Sequence, residues 1–520
     1  MSKLDNLTVL IPIMVLGTFC VSFSSLWLVD RFSTSHLYSP VEKELPKNST
    51  AEQWTLLGNS FSGYSTFRTR AFQEAIQEVG LNVHYENEFD ITKLVNRFNQ
   101  KQADLALMTL DQFLKQKPQG KIIGLVDTTL GADAVVLNTK KYPNLKSLVD
   151  LTQLVQQAHH KQQRLQMTFA GDTSSEYLAL VLNSKFDAFK LSDFQINQVS
   201  DASRAWNQLQ DPNQDIALAV LWEPYVTQAR RNGYTVILSS ADVPQTIVNV
   251  IVASNHLIES QSNKISKFLE AYYRYIDLSR HNASQLQTQI ALDGNLSTND
   301  SVTVLKGINF FTSIEAQDWM NRGILAKQIR STGTVLKLAD KLKEVPPHPQ
   351  DLYNVGLIAK AAKNTQNLID LVNVDNPELA KKLESAPEAL TSPSVNLNQI
   401  QTVTDIGNLQ IHGQVKFATD SDQITSESKQ TLSKLAQQIT DFNSKTVAVR
   451  IIGHTSQFGD AEFNRTLSQQ RAQSVANYLH ALGIKHKLLV VGKGSSQPLP
   501  DLDPQDKRNQ RTEIRLVRLN

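Results

Sequence analysis

The stretch 453–483, GHTSQFGDAEFNRTLSQQRAQSVANYLHALG, decides how the C-terminal part of this chain folds. It is entered through Val447, Val449 and Ile451, whose alternation predicts a half-buried strand ending in Gly453-His454-Thr455. Past Leu467-Ser468, the apolar residues Ala472, Val475, Ala476 and Leu479 recur at helical spacing. Working outward, Val415-Lys416-Phe417 reads as a short strand, followed by Asp420 and Asp422. A helix then starts near Ser426 and buries Leu432, Leu435, Ile439 and Phe442 on one face. Leu488–Val491 and Thr512–Val517 supply further strands, so residues 400–520 form a small α/β domain.

The same order of elements and the 453–483 string resemble the OmpA-like peptidoglycan-binding domain. That resemblance implies a pocket for the diamino acid of a wall peptide stem, between the loop after the first strand and the following helix. Carried over by position, Thr455, Asn464, Leu467, Ser468 and Arg471 match the pattern. Arg471 is expected to clamp a stem carboxylate, because a guanidinium offers two parallel donors to a planar acid. The family's acid directly after the GHT turn is replaced here by Ser456, which can accept a hydrogen bond but brings no charge. Asp460 is the candidate substitute if the loop folds back. Asn509-Gln510-Arg511 matches the family's terminal signature only in part.

The remaining chain is too long for one core. With 52 basic and 50 acidic side chains it predicts no nucleic-acid groove, and 41% hydrophobic residues read as globular. A single cysteine, Cys20, excludes an internal disulfide framework. From Leu7 to Val29 no residue is charged, a run long enough to cross a bilayer, which needs roughly 20 residues. Residues 1–32 therefore read as a short cytoplasmic tail and an uncleaved transmembrane signal anchor, with the bulk of the chain in the periplasm. Residues 33–53, with Pro40 and Pro46, read as a spacer.

From 54 to 342, strand-like runs (Trp54–Leu57, Val83–Tyr85, Leu105–Met108, Ala134–Leu137, Gln166–Ala170, Ile216–Leu221) alternate with helical ones (Arg68–Glu78, Ile91–Phe98, Ser175–Leu182, Ala202–Leu209). Such alternation predicts α/β architecture with mostly parallel sheets. Residues 343–399 read as a helical segment and linker, broken by Pro346, Pro347 and Pro349 and again by Pro387 and Pro393.

Four strings of the central region, in order, carry a second resemblance. They are Gly58-Asn59-Ser60 with Gly63-Tyr64, Ala103–Met108, Asp127 through Asp133–Val136, and Leu221-Trp222-Glu223-Pro224-Tyr225. Together they resemble periplasmic substrate-binding proteins of the taurine, nitrate and thiamine-precursor type. The resemblance implies two lobes with a ligand in the cleft and a hinge that closes on it. Candidate ligand residues are Ser60, Tyr64, Thr109, Asp111, Asp133, Asp172, Thr173, Ser174, Trp222 and Glu223. The hydroxyls and free amides of Phe169–Ser175 would suit an anion, whereas Asp172 there would repel one or attract an amine. As a helix cap, Asp172 has a plain structural role instead.

No nucleophile elbow, metalloprotease helix or phosphate loop occurs, so neither catalysis nor a cofactor or metal is expected. The expected function is a membrane-anchored, wall-binding receptor or sensor for a small molecule, beside a membrane partner. The alternative is a wall-anchored scaffold or stator-like subunit. Stators need an acid within the membrane segment, and Asp5 and Asp30 only flank the run.

Overall fold

A computed structural model describes residues 52–186, 189–281, 283–375, 405–410, 415–418, 421–500 and 502–519. The predicted anchor, residues 33–51 of the predicted spacer, the linker around Pro387 and Pro393, and Asp420 lie outside the described residues, while Glu52 and Gln53, read as the spacer's end, already belong to the first strand. Among the described residues no helix is long and apolar enough to cross a membrane.

The central region forms two sheets. Strands β1 (Glu52–Gly58), β2 (Leu81–Asn87), β3 (Leu105–Thr109) and β4 (Gly120–Thr129) enter the first lobe. The chain then crosses to a second lobe and lays down β5 (Asp133–Leu137), β6 (Leu165–Ala170), β7 (Phe194–Val199), β8 (Ile216–Trp222) and β9 (Thr235–Ser239). It returns to the first lobe with β10 (Val248–Ser254) and β11 (Ile308–Phe310). The spatial orders are β11-β4-β10-β3-β1-β2 and β7-β6-β8-β5-β9.

The sheets are mixed rather than mostly parallel. β1 runs parallel to β2 and β3, and β6 parallel to β7 and β8. The returning strand β10 is antiparallel to β3 and β4, and β5 is antiparallel to β8 and β9. A strand that arrives from the other lobe need not follow the right-handed crossover that keeps neighbours parallel. The expected helix over Arg68–Glu78 breaks at Thr69, whose side chain accepts from the Phe72 amide and starts a new helix at Arg70.

Two connections join the lobes, residues 130–132 and 240–247, and they are tied to each other. Ser240 Oγ accepts from Gly131 N at 2.8 Å, and Ser240 N donates to Asp133 O at 2.9 Å. Helix Ile324–Leu338 straddles both lobes, packing on helix Leu110–Gln116 of the first and helix Ser174–Lys185 of the second. Helix Ala359–Asp375, past the Pro346–Pro349 break, packs against helices Asn255–His281 and Ser313–Asn321 of the first lobe.

The C-terminal domain has a four-stranded sheet, β12 (Asp405–Asn408), β13 (Val447–Gly453), β14 (Leu488–Gly492) and β15 (Thr512–Arg518), ordered β12-β15-β13-β14. Helices Ser426–Thr440 and Ala461–Ala481 accompany it. The second of these starts well before Leu467, because Asp460 caps it by accepting from Phe463 N at 2.8 Å. Val415–Phe417 does not join the sheet; Phe417 makes an isolated bridge to Ile424. In β13 only Arg450 escapes full burial, so both faces are covered rather than one.

This domain is not a loose appendage. Its core is continuous with that of the second lobe, joining Val135, Leu148 and Phe186 to Ile406, Leu409, Phe442 and Ile451. Phe186 and Phe442 meet with ring centroids 6.0 Å apart. Gly407 passes so close to helix Leu148–His160 that an added Cβ would lie 3.0 Å from Leu148 Cβ. Asn443 N donates to Asp242 O at 2.9 Å, and its side chain donates to Ala241 O at 3.1 Å. Arg518 reaches Val236 O at 3.1 Å and pairs with the buried Asp242 carboxylate.

Removing one partner of a buried ion pair strands the other, at a cost of ~3–5 kcal/mol. Arg518→Ala should therefore lower stability in denaturant unfolding by about 3 kcal/mol. An unchanged midpoint would show that the pair does not hold the two domains together.

Candidate functional site

The carboxyl ends of strands from both lobes converge on one cleft, the place where open α/β sheets collect ligands. From the first lobe, β1 delivers Asn59, Phe61 and Tyr64; β3 and the following helix deliver Thr109 and Gln112; β4 and the returning connection deliver Thr129, Ile247 and Asn249. The second lobe adds Asp133 at the start of β5, Trp222 at the end of β8, and Thr173 and Ser174 at the head of a helix. Asp133 and Trp222 are register partners on neighbouring strands. The space between the lobes is about 340 Å³, counting the part open to solvent.

The lining is braced from behind. Arg68 donates to Asn59 O at 2.9 Å and Phe61 O at 3.1 Å, and its guanidinium pairs with Asp293 at 2.8 and 2.5 Å. Phe61 and Tyr64 stand edge to face, with centroids 5.3 Å apart. Tyr64 Oη donates to Asn249 Oδ1 at 2.6 Å, and Asn249 Nδ2 donates to Asp127 Oδ1 at 2.8 Å. Asp127 is fully buried, and its Oδ2 has no hydrogen-bond partner. Burial pushes its carboxyl up to about 8, opposed by the Asn249 hydrogen bond, so it is neutral at pH 7.

Asp133 stands otherwise. Burial raises its carboxyl to about 6, while the hydrogen bond from Ser174 favours the charged form. Ser174 Oγ donates to Asp133 Oδ1 at 2.7 Å. At neutral pH this group is mostly ionised.

Of the residues expected at the ligand, Tyr64, Thr109, Asp133, Thr173, Ser174 and Trp222 line the cleft. Ser60 is exposed at a bend outside the lining. Asp111 is buried in the first turn of helix Leu110–Gln116, where burial raises its carboxyl against the pull of Lys115. Glu223 turns inward to accept from Thr227 N at 2.9 Å and Thr227 Oγ1 at 2.8 Å, and burial lifts it to about 7. Asp172 is not the helix cap; Thr173 is, accepting from Ser175 N at 3.2 Å.

Asp172 instead belongs to a set of contacts between the lobes. Lys115 of the first lobe reaches Asp172 at 2.7 Å and Glu176 at 3.0 Å, and Lys341 reaches Glu176 at 2.7 Å. Gln112 Nε2 donates to Asp172 O at 2.9 Å. At the other side of the cleft, Arg231 pairs with Asp300 at 2.6 Å. Burial opposes the charge on Glu176, but Lys115 and Lys341 outweigh it and hold its carboxyl below the usual range.

Asn59, Phe61, Gln112, Thr129, Ile247 and Asn249 were not singled out from the sequence. Asn59 stands inside a quoted string, and Gln112 follows Thr109 in a Thr-x-x-Gln capping pattern, the signals that were available. Thr129, Ile247 and Asn249 belong to β4, β10 and the crossover before β10, none of which the alternation marked.

The second candidate site lies in the C-terminal domain. An added Cβ on Gly453 would fall 2.1 Å from Ser468 O, so only glycine lets β13 end against helix Ala461–Ala481. This contact brings the 454–456 loop beside that helix. Thr455, Ser456, Asn464, Leu467, Ser468 and Arg471 are all buried there. Asn464 Nδ2 donates to Phe458 O at 2.9 Å, and Ser468 Oγ accepts from Gly494 N at 2.9 Å. Gln510 donates to Ser456 Oγ at 3.1 Å. Arg471 Nε donates to Ser421 O at 3.0 Å, with its guanidinium 5.2 Å from the Phe417 ring centroid. Asp422 accepts from Ser474 at 2.9 Å. Asp460 is exposed and occupied as a helix cap, so it does not fold back toward Ser456 in the way its spacing allowed. Phe458 and Phe463 stand exposed at the rim. Behind the loop, burial and the charge of Arg511 push the His454 imidazole down to about 4, against the opposing pull of Glu513.

Comparison with known proteins agrees with the two halves. Residues 416–512 match the OmpA family, and the C-terminal domain is an OmpA-family domain. Outer membrane protein A of Shimwellia blattae is 37% identical over 86 residues, 16% of this chain and 36% of that protein. Outer-membrane lipoprotein YfiB of Pseudomonas aeruginosa is 30% identical over 104 residues, 20% of this chain and 61% of that protein. The chain thus spans only part of these curated relatives. The central fold is similar to the periplasmic aliphatic sulphonate binding protein SsuA of Escherichia coli, at 15% identity and a TM-score of 0.45, over 58% of this chain and 97% of that one.

Because the raised carboxyl of Asp127 keeps a proton that the unfolded chain gives up, its stabilising contribution is full at low pH and is lost as pH rises through about 8. Asp127→Asn should flatten the fall in melting temperature between about pH 6 and 8. A variant whose melting temperature tracks the wild type across that range would show that Asp127 is ionised throughout.

Proposed function

We propose that this chain is a non-catalytic solute receptor of the cell envelope, held at the inner membrane by the apolar run Leu7–Val29 and at the wall by its OmpA-like domain. The observation that carries the reading is a cleft lined from both lobes, with the lobes joined by two connections that permit closure. Aromatic walls and convergent polar groups are what a small-molecule site requires.

Wall attachment rests on the pocket beside Arg471. A stem carboxylate would pair with the Arg471 guanidinium, and the exposed Phe458 and Phe463 would flank the wall polymer. Ser456 in place of an acid leaves the ammonium of a diamino acid without a partner charge, which predicts weak retention by the wall. The same domain is packed on the second lobe, while β1, the first strand after the proposed anchor, belongs to the first. Membrane and wall therefore hold opposite lobes. Such fixing suits a receptor that serves or signals to a membrane partner permanently beside it, rather than one that diffuses to a distant permease.

Two measurements test these halves. Arg471→Ala should weaken co-sedimentation with purified peptidoglycan by ~2–3 kcal/mol, and Ser456→Asp should strengthen it. Retention unchanged by Arg471→Ala, or weakened by Ser456→Asp, would place the wall contact elsewhere. For the cleft, a saturating ligand at a hundredfold excess over its dissociation constant should stabilise the full-length chain by about 2.7 kcal/mol. A broad small-molecule screen that leaves thermal unfolding unmoved would overturn the receptor reading.

A further inference from the structure

We propose that the cleft takes a small organic cation, an amine or a quaternary ammonium, seated on the Asp133 carboxylate between the rings of Phe61, Tyr64 and Trp222. The inference rests on the receptor reading of the same cleft and names its ligand class.

The charge inventory comes first. Among the described residues that line the cleft, Asp133 is the one that carries charge at neutral pH, and none is lysine, arginine or histidine. The nearby basic groups are committed elsewhere: Lys115 to Asp172 and Glu176, and Arg68 to Asp293. An anion entering this space would meet a buried carboxylate with no cation to offset it. A cation would instead supply the partner that Asp133 lacks.

The hydrogen-bond donors point the same way. A site for an oxyanion presents free N–H and O–H groups. Here Ser174 Oγ already donates to Asp133 Oδ1 at 2.7 Å, and Thr173 Oγ1 donates to Ala170 O at 2.7 Å. Gln112 Nε2 donates to Asp172 O at 2.9 Å, and Asn249 Nδ2 to Asp127 Oδ1 at 2.8 Å. These donors of both lobes are turned onto the protein's own acceptors; in the lining the hydroxyls of Thr109 and Thr129 have no hydrogen-bond partner among the described residues. What remains for a ligand is a carboxylate, three rings and these two hydroxyls, which can accept from an ammonium as well as donate.

The rings fit the same occupant. Trp222 is the register partner of Asp133, so indole and carboxylate stand side by side at the second lobe's edge of the cleft. Phe61 and Tyr64 form the facing wall. A cation near aromatic faces gains attraction to the ring quadrupoles beyond its charge pair, a gain an anion would not share. Neutral Asp127 behind Asn249 adds no further charge, which matches the site to a single positive centre.

The test uses the purified full-length chain, with calorimetric titration of six probes at matched ionic strength: methylammonium, choline, putrescine, nitrate, sulfate and methanesulfonate. Saturable binding of at least one cation, tighter than any of the anions, is expected. Asp133→Asn should weaken that cation at least ~30-fold, the size of a lost buried charge pair. Trp222→Leu, which leaves the carboxylate in place, should weaken choline more than methylammonium and keeps the proposal testable if Asp133→Asn does not fold. An anion binding as tightly as the best cation overturns the ligand class and leaves the receptor reading standing. Silence from all six overturns the ligand class, whereas the receptor reading falls only if the broad thermal-unfolding screen is silent as well. Cation binding that survives Asp133→Asn in a folded protein overturns the seat assigned to it.

Discussion

The connection from β9 to β10 is the constraint on which the rest of the molecule depends. Any opening of the cleft must bend residues 240–247 and their counterpart 130–132, which Ser240 fastens together. That same connection is held from outside by the C-terminal domain. Asn443 occupies the carbonyls of Ala241 and Asp242, and Arg518 the carboxylate of Asp242. The Asp242 carboxylate in turn accepts from Ser239 N at 2.8 Å. A few residues thus separate the cleft aspartate from the wall-facing domain, linked by hydrogen bonds at every step. With a shared apolar core beneath them, the second lobe and the C-terminal domain are built as one packed unit, so a closure of the cleft would carry the first lobe against both.

Closure itself is a contest of charges. Lys115 and Lys341 meet Glu176 between the lobes, and Arg231 meets Asp300 across the other side. The pairs differ in weight. Lys115 and Glu176 are both nearly buried, so separating them exposes two charges to water, whereas Arg231 is largely exposed and contributes little. Inside the cleft, Asp133 has no such counterpart. Among the described residues the cations thus hold the lobes, and the Asp133 carboxylate inside is left without a cationic partner.

Much of this architecture was legible in the chain. The alternating runs at Trp54, Leu105, Ala134 and Ile216 are strands, and the 453–483 string lies where its resemblance places it. The less legible parts share a physical cause. β4 and β10 are buried on both faces, so their apolar runs lack the alternation that marks a strand. Asp127 and Asn249 then look like stray polar residues in such runs, and their role emerges only when β4 and β10 pair. Asp172 and Glu223 sit next to true lining residues, and a neighbour in sequence was taken for a neighbour in space. The union of the C-terminal domain with the second lobe left no local trace, since Asp242 and Arg518 are 276 positions apart.

That union changes what attachment to a wall does. A tether joined by a flexible segment would leave the cleft indifferent to it, because slack absorbs any displacement. Here the C-terminal domain grips the hinge directly, and on the proposed reading the membrane anchor would lead into the first lobe through β1. A pull between the two proposed attachments would therefore act across the cleft, against the Lys115–Glu176 and Lys341–Glu176 pairs and any ligand bridging the lobes. By the same linkage, a ligand that binds both lobes resists that pull by its differential affinity for the closed form, and by no more than that.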